Sequence, residues 1–447
     1  MDLLQDTLPQ PGKARQIRQI GQARTAALAA CQIQLTHPDI WTDTIVHRIH
    51  QHTGQTMKLD YETIALVLQG GGALGAYQAG VYEGLDSAGI RCNWIAGISI
   101  GAVNAALIAG NAPGDRLEKL KAFWEMVCQP NTVGCAEAFS GMFRFTAPNP
   151  LWREWTSFVS AMMTTLQGQR GFFKPRFMPP WASQHGDPKA ASMYDVSDLR
   201  TTLEQFIDFD RINSGKTRLS LGAVNVATGN FRYFDSQDMA LQGKRLGAEH
   251  VMASSALPPA FAPVEIDGEY YWDGGVVSNT PLEFVLETLP RRDTLAFQVD
   301  LWSARGEVPD NIPDVLERQK DIQYSSRTRR GTDQERTRQG MRLAIDRALR
   351  SVSADVRERP EFQALDNYSC TKVFNIIHLI YQSKSFEQHF KDYEFSTRTM
   401  QAHWRAGLQD MRATLKHPEY FTRPSALEGV VTHDIHRTAN PESGKTG

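Results

Sequence analysis

At 447 residues the chain exceeds a usual single domain, and its 41% hydrophobic and 22% charged residues suit a globular protein with a sizeable core. A formal net charge of -2 argues against an electrostatic nucleic-acid binder, and no uninterrupted apolar run approaches the ~20 residues a bilayer-spanning helix needs. Five scattered cysteines without C-x-x-C spacing, and a Met1–Gln10 stretch with Asp2 and Asp6 but no basic residue, predict a reducing, cytoplasmic setting rather than a secretory one.

The first 60 or so residues are polar. Ile17, Ile20, Ala27, Leu28 and Cys31 recur at helical spacing, interrupted by Arg24, which predicts one or two helices packed outside the main domain. His47, His50 and His52 cluster there and read as a solvated helix face rather than a metal site. Ile64–Leu68 is a continuous apolar run of the kind a parallel strand buried on both faces shows. It enters Gly70-Gly71-Gly72-Ala73-Leu74-Gly75 and then a helical pattern through Ala76, Ala79 and Leu85.

That glycine loop admits three readings. A dinucleotide fingerprint would want an acidic residue at the end of the second strand, but Trp94-Ile95-Ala96 leads into Gly97 and Ser99. A Walker loop would need Gly-Lys-Ser/Thr, which is absent. The third reading is an oxyanion hole, in which bare backbone N–H groups converge on a developing alkoxide. Gly97-Ile98-Ser99-Ile100-Gly101, between a strand and the helical run Ala102–Ala109, favours it: small neighbours on both sides of a serine make a sharp nucleophile elbow.

Between Asn111 and Ser192 aromatic and methionine side chains crowd together, including Trp124, Trp152, Trp155 and Trp181. This predicts a cap insertion, with residues 139–181 as an acyl-groove lid or a peripheral contact with a lipid surface. A hairpin is predicted over Leu219–Asn225 and Phe231–Phe234, and a helix over Glu249–Ala256, stopped by Pro258-Pro259. Val264–Ile266 and Tyr270–Trp272 form a second hairpin, ending at Asp273-Gly274-Gly275 with Asn279-Thr280-Pro281 beyond. Asp273 alone reads as a turn aspartate; beside the elbow and the glycine loop it becomes a candidate base. Leu295–Asp300 is a further strand, Ile312–Leu349 a solvated amphipathic helix with interleaved charges, Val373–Ile380 a late strand, and Phe386–Met411 a long helix.

The blocks Gly70–Gly75, Gly97–Gly101, Ala253–Phe261 and Asp273-Gly274-Gly275, in this order and on strand-turn-helix contexts, resemble the patatin-like phospholipase family over roughly residues 62–300. The resemblance is to a bacterial member with a C-terminal extension. It implies a three-layer α/β/α fold with a mostly parallel central sheet and a Ser–Asp dyad rather than a triad. Ser99 would be the nucleophile, Asp273 the base, and the Gly71 and Gly72 amides the oxyanion donors, with Ile100 as a further donor by the logic of the elbow. Gly70, Gly75, Gly97, Gly101, Gly274 and Gly275 complete the motifs. Many members carry Arg or Lys where this chain has Leu74, so a loop cation is missing here or supplied elsewhere.

The expected organisation is a helical N-terminal extension (1–61), a patatin-like acyl hydrolase domain (62–300) with a cap insertion (about 111–192), a helical and strand-containing C-terminal extension (301–424) and a polar tail (425–447). The expected function is a cytoplasmic, cofactor-free lipid acyl hydrolase, possibly membrane-associated, acting on a lipid or other ester substrate, with no nucleic-acid partner and no metal. The alternatives are a Ser99–Asp273–His378 esterase or thioesterase and a non-catalytic lipid-surface binding protein. His378 lies within an apolar strand pattern, which suits a core histidine better than a triad member.

Overall fold

A computed structural model describes residues 59–129, 167–176, 188–325, 328–382 and 391–438. The N-terminal helical pattern, its three histidines and all of the aromatic segment 139–181 except 167–176 lie outside the described residues.

The apolar run at the start becomes β1 (Thr63–Leu68), and the Trp94 run becomes β2 (Trp94–Gly97). Seven further strands share their sheet: β3 (Arg218–Asn225), β4 (Phe231–Asp235), β5 (Val264–Ile266), β6 (Glu269–Asp273), β7 (Thr294–Asp300), β8 (Phe374–Ile380) and β9 (Val430–Asp434). Their order is β9-β8-β7-β1-β2-β3-β6-β5, with β4 paired to β3. The six strands from β9 to β3 run parallel, and β4, β5 and β6 join antiparallel.

Alternation along the buried strands divides the core. Leu66, Leu68, Ile95, Phe297, Val299, Ile377 and Leu379 face one side, with Ala65, Val67, Trp94, Ala96, Ala296, Phe374 and Ile376 on the other. The first side is covered by α1 (Gly75–Ser87), α2 (Ile100–Ala109) and, packed against α1, the late helix Thr397–Thr414. Leu282, Val285 and Leu286 pack on the second side. The result is a three-layer α/β/α arrangement with a mostly parallel sheet, as the motifs predict.

Three stretches differ from the sequence reading. The helix predicted over Ile312–Leu349 is two helices, Ile312–Tyr324 and Thr328–Ser351, and the second buries Glu335, Gln339, Arg342, Leu343 and Leu349 rather than lying solvated. The first stops because the Tyr324 carbonyl is taken by the Gln69 and Asn279 side-chain amides, at 3.2 and 3.0 Å, and Ser325 turns extended. The long helix predicted from Phe386 begins only at Thr397, capped by Ser396 accepting the Thr399 N–H, while Lys391–Phe395 runs across the glycine loop. Residues 386–390 lie outside the described residues. Strand β8, within the stretch read as an extension, and β9, within the stretch read as a polar tail, complete the central sheet instead of forming a layer of their own or a tail.

The α1–Thr397–Thr414 crossing depends on two glycines. A Cβ on Gly80 would collide with the Trp404 carbonyl, and one on Gly407 with the Tyr77 carbonyl. Because backbone blocks both positions, Gly407→Ala is expected to destabilise the protein by about 1–3 kcal/mol or more, read as a fall in the denaturant midpoint; an unchanged midpoint would contradict this packing.

Candidate active site

The sheet hands over an edge at the site. β2 pairs with β3 up to Gly97 opposite Leu221, and β6 then takes the same edge, with Asp273 opposite Ala223. Asp273 therefore stands two residues further along β3 than Gly97, at the level where Ser99 leaves the sheet. The antiparallel hairpin thus carries a carboxylate to the carboxyl edge of the parallel strands, where open α/β sheets bind ligands.

Ser99 adopts φ 57°, ψ −128°, a conformation a side-chain-bearing residue holds only when its surroundings enforce it. A Cβ on Gly97 would strike the Gly101 carbonyl, and one on Gly101 the Leu68 and Gln69 carbonyls. The two glycines are thus what lets the elbow turn sharply against β1. The Ala253–Ala256 block braces it from the other side. The Ser99 N–H donates to the Ser254 carbonyl at 3.1 Å, the Ser255 hydroxyl donates to the Ser99 carbonyl at 3.1 Å, and the Ser254 hydroxyl donates to the Gly222 carbonyl at 2.7 Å.

The glycine loop is held from behind. Gln69, fully buried, accepts the Leu301 and Trp302 N–H groups at 2.6 and 3.0 Å. The Gly70 carbonyl accepts from the Trp302 indole at 2.8 Å and from Asn279 at 3.1 Å. The Ala73 N–H donates to the Asp392 carbonyl at 2.9 Å. No acceptor in the described chain engages the Gly71, Gly72 or Ile100 N–H, and all three residues line the same pocket. Leu74 is fully buried in the main core, so the position where relatives often carry a cation holds only a packing side chain.

Asp273 is buried. Its N–H donates to the Ala256 carbonyl at 3.0 Å, and its Oδ1 accepts the Gly275 N–H at 2.7 Å. Oδ2 is a buried acceptor with no hydrogen-bond partner. The Ser99 hydroxyl is close enough to draw the carboxyl's pKa down, yet the pair stops short of full hydrogen-bond geometry. Burial outweighs both donors and pushes the carboxyl up to about 7.

The pocket above these groups has about 720 Å³ of empty space, its open mouth included. Its walls are aromatic: Phe172, Phe173, Phe261, Tyr324, Tyr393 and Phe395. Phe173 and Phe261 rings lie 5.4 Å apart, and Tyr194 sits 4.8 Å from Phe173. Such a concave, apolar chamber with a few convergent polar groups suits a chain-bearing ester. His378 lies inside β8 opposite Gln298 and Asp434, and no histidine is among the described residues lining the pocket. Among the described residues, no group of three His, Cys, Asp or Glu side chains is placed to share a metal ion.

The structure therefore brings Ser99, Asp273, Gly70, Gly71, Gly72 and Gly275 to one pocket, with Gly97, Gly101 and Gly274 in the turns that shape it and Gly75 starting α1 behind it. Sequence reasoning missed Gln69 and Asp392, and it singled out Ser254 and Ser255 only as part of the Ala253–Phe261 block, without their bracing role. Gln69 could have been noticed as a polar residue ending a buried strand; nothing local marks Asp392.

An α/β sheet with a serine on a strained strand-to-helix turn and a glycine loop beside it defines a class of acyl-transfer scaffold. The chain belongs to the patatin-like phospholipases: residues 66–286 match the Patatin-like phospholipase model, and residues 322–427 match a second, described as Patatin phospholipase. It is similar to lysophospholipase NTE1 of Candida glabrata, 25% identical over 275 residues, which is 60% of this chain and 12% of that protein. It is also similar to lysophospholipase nte1 of Aspergillus terreus, 38% identical over 93 residues, 18% of this chain and 6% of that protein. The chain thus spans only a small part of the curated relatives it matches. Among solved structures, VipD from Legionella pneumophila aligns over 85% of this chain and 72% of its own, at 15% identity and a TM-score of 0.37. Among the described residues, no helix is long and apolar enough to cross a membrane.

A carboxyl whose pKa is raised on folding stabilises the fold below its unfolded value, and that contribution is lost as pH rises through the folded value. Here the window runs from about 4 to about 7, corresponding to at most roughly 4 kcal/mol. Asp273→Asn is therefore expected to gain in Tm relative to the unsubstituted protein as pH rises across that window and to hold the gain above it. A Tm difference independent of pH would show that Asp273 ionises normally.

Proposed function

We propose that the protein hydrolyses lipid esters through an acyl-enzyme on Ser99, with Asp273 as the only base. Membership of a phospholipase family supports a lipid hydrolase; the residue roles rest on the site's chemistry. The observation that carries them is the buried, unpartnered Asp273 Oδ2 beside the strained Ser99.

In this reading Ser99 Oγ attacks the ester carbonyl carbon while its proton passes to Asp273 Oδ2. The carbonyl oxygen, now an alkoxide, is met by the free N–H groups of Gly71, Gly72 and Ile100, the last at the start of α2 with its helix dipole behind it. Collapse of the tetrahedral intermediate expels the alcohol, which takes the proton from Asp273. Water then attacks the acyl-enzyme, again giving its proton to Asp273, and the fatty acid leaves as Ser99 recovers its hydrogen. A carboxylate of ordinary pKa would be a feeble base for a hydroxyl, and the rise to about 7 strengthens it while leaving about half of it charged at neutral pH. The aromatic wall would receive the acyl chain.

Ser99→Ala and Asp273→Asn should each lower the hydrolysis of short-chain p-nitrophenyl esters by at least about a thousandfold. Because the working base is the deprotonated form, kcat/KM in the unsubstituted protein should fall about tenfold per unit below pH 7 and level off above it. Activity retained in Asp273→Asn would rule the dyad out, an acid limb near pH 4 would show that Asp273 works at ordinary basicity, and a loss of activity in His378→Ala as large as that in Asp273→Asn would restore the triad.

A further inference from the structure

The segment Lys391–Phe395 carries two charges into the protein. The Lys391 side chain is 4% exposed and that of Asp392 12%. Such charges persist only when paired. The helix Ile312–Tyr324 supplies ion-pair partners to both: Lys391 meets Glu317 at 3.0 Å and Asp321 at 2.8 Å, and the Asp392 carboxylate accepts from Lys320 at 3.0 and 3.1 Å.

The helix is in turn fixed to the back of the glycine loop. Its last carbonyl, on Tyr324, accepts from Gln69 and Asn279, and the Tyr324 ring lies 5.4 Å from that of Trp302, whose indole donates to Gly70. The Lys391 ammonium stands 5.3 Å over the same Trp302 ring. Segment and helix thus form a strap that meets the loop through a backbone hydrogen bond from the Ala73 N–H to the Asp392 carbonyl at 2.9 Å. The fit there is tight. Gly72 sits at φ 55°, and any Cβ on it would collide with that carbonyl.

We propose that Asp392, clamped by Lys320 while its neighbour Lys391 pairs with Glu317 and Asp321, is a positioning residue for the glycine loop. Its carbonyl engages the Ala73 N–H and sets the plane of the Gly72–Ala73 peptide, which leaves the Gly71 and Gly72 N–H groups aimed at the acyl oxygen over Ser99. This deepens the reading of Ser99 and Asp273 given above and rests on it. It also assigns a role to the C-terminal part of the chain, since Tyr324, Asp392, Tyr393 and Phe395 all fall within the second matched region and all line the pocket. Where relatives often place a loop cation, this chain has a buried leucine, and the lysines that steady the loop come from the strap.

The test is made on the full chain with p-nitrophenyl butyrate, active sites being counted by fluorophosphonate taken to completion. Asp392→Asn combined with Lys320→Met removes the ion pair as a neutral whole and keeps the backbone carbonyl; Lys391→Met removes the second clamp. Displacing donors by even about 1 Å costs on the order of a hundredfold, so kcat per counted site is expected to fall about 10- to 100-fold with KM within about threefold. A purely structural role would lower the number of counted sites and the Tm while leaving kcat per site unchanged, and that result overturns the proposal. Should Lys391→Met fail to fold, the double variant decides alone, because Lys320 is one-third exposed. If the unsubstituted protein shows no Ser99-dependent hydrolysis, the dyad reading falls first and the proposal with it, a failure seen before any strap variant is made.

Discussion

The sharing of one edge of β3 between two strands is the constraint on which the rest depends. β2 must stop at Gly97 for Ser99 to turn out of the sheet, and β6 must enter where β2 leaves for Asp273 to stand beside it. Neither side chain could be exchanged for the other's position: the elbow needs a strained backbone with small neighbours, and the carboxylate needs a strand end with Gly275 to satisfy one oxygen and nothing to satisfy the other. Burial at that spot is costly to a charge. In the proposed mechanism the same cost keeps Asp273 basic enough to accept a hydroxyl proton near neutral pH. On that mechanism, stability given up at the site is the source of its reactivity, a common trade where strain and desolvation meet.

The glycine loop obeys a complementary rule. Its donors are useful only if they are unengaged, and unengaged N–H groups in a compact protein must be prevented from finding partners. Here the neighbouring groups are all occupied: Gly70 through its carbonyl, Ala73 through its N–H, Gln69 through both ends of its amide. The polar atoms behind the loop are satisfied so that those in front are not.

Much of the fold was legible in the sequence because it is written locally. Continuous apolar runs announced β1, β2 and β7; the paired runs Val264–Ile266 and Tyr270–Trp272 marked the second hairpin; glycines flanking Ser99 marked the elbow. Asp273 could be found because a strand end and two glycines are adjacent to it in the chain. The contribution of Asp392 could not. It meets Ala73 across more than three hundred residues, through a backbone carbonyl that any residue possesses, and its buried neighbours are charged, which in a sequence reads as surface. The break at Tyr324 was hidden for the same reason, since the side chains that end the helix, Gln69 and Asn279, come from far along the chain. The late strand at Phe374 was visible as a strand, but its place beside β7 in the central sheet is a property of pairing, not of composition.

The account turns on one serine being the nucleophile and one carboxylate being its base. Mapping a fluorophosphonate adduct by peptide mass spectrometry, with labelling rates compared between the unsubstituted protein and Asp273→Asn, tests both at once. The account predicts a single adduct on Ser99, formed at least about a hundredfold more slowly in the variant. An adduct on another serine, or an equal rate in the two proteins, would contradict it.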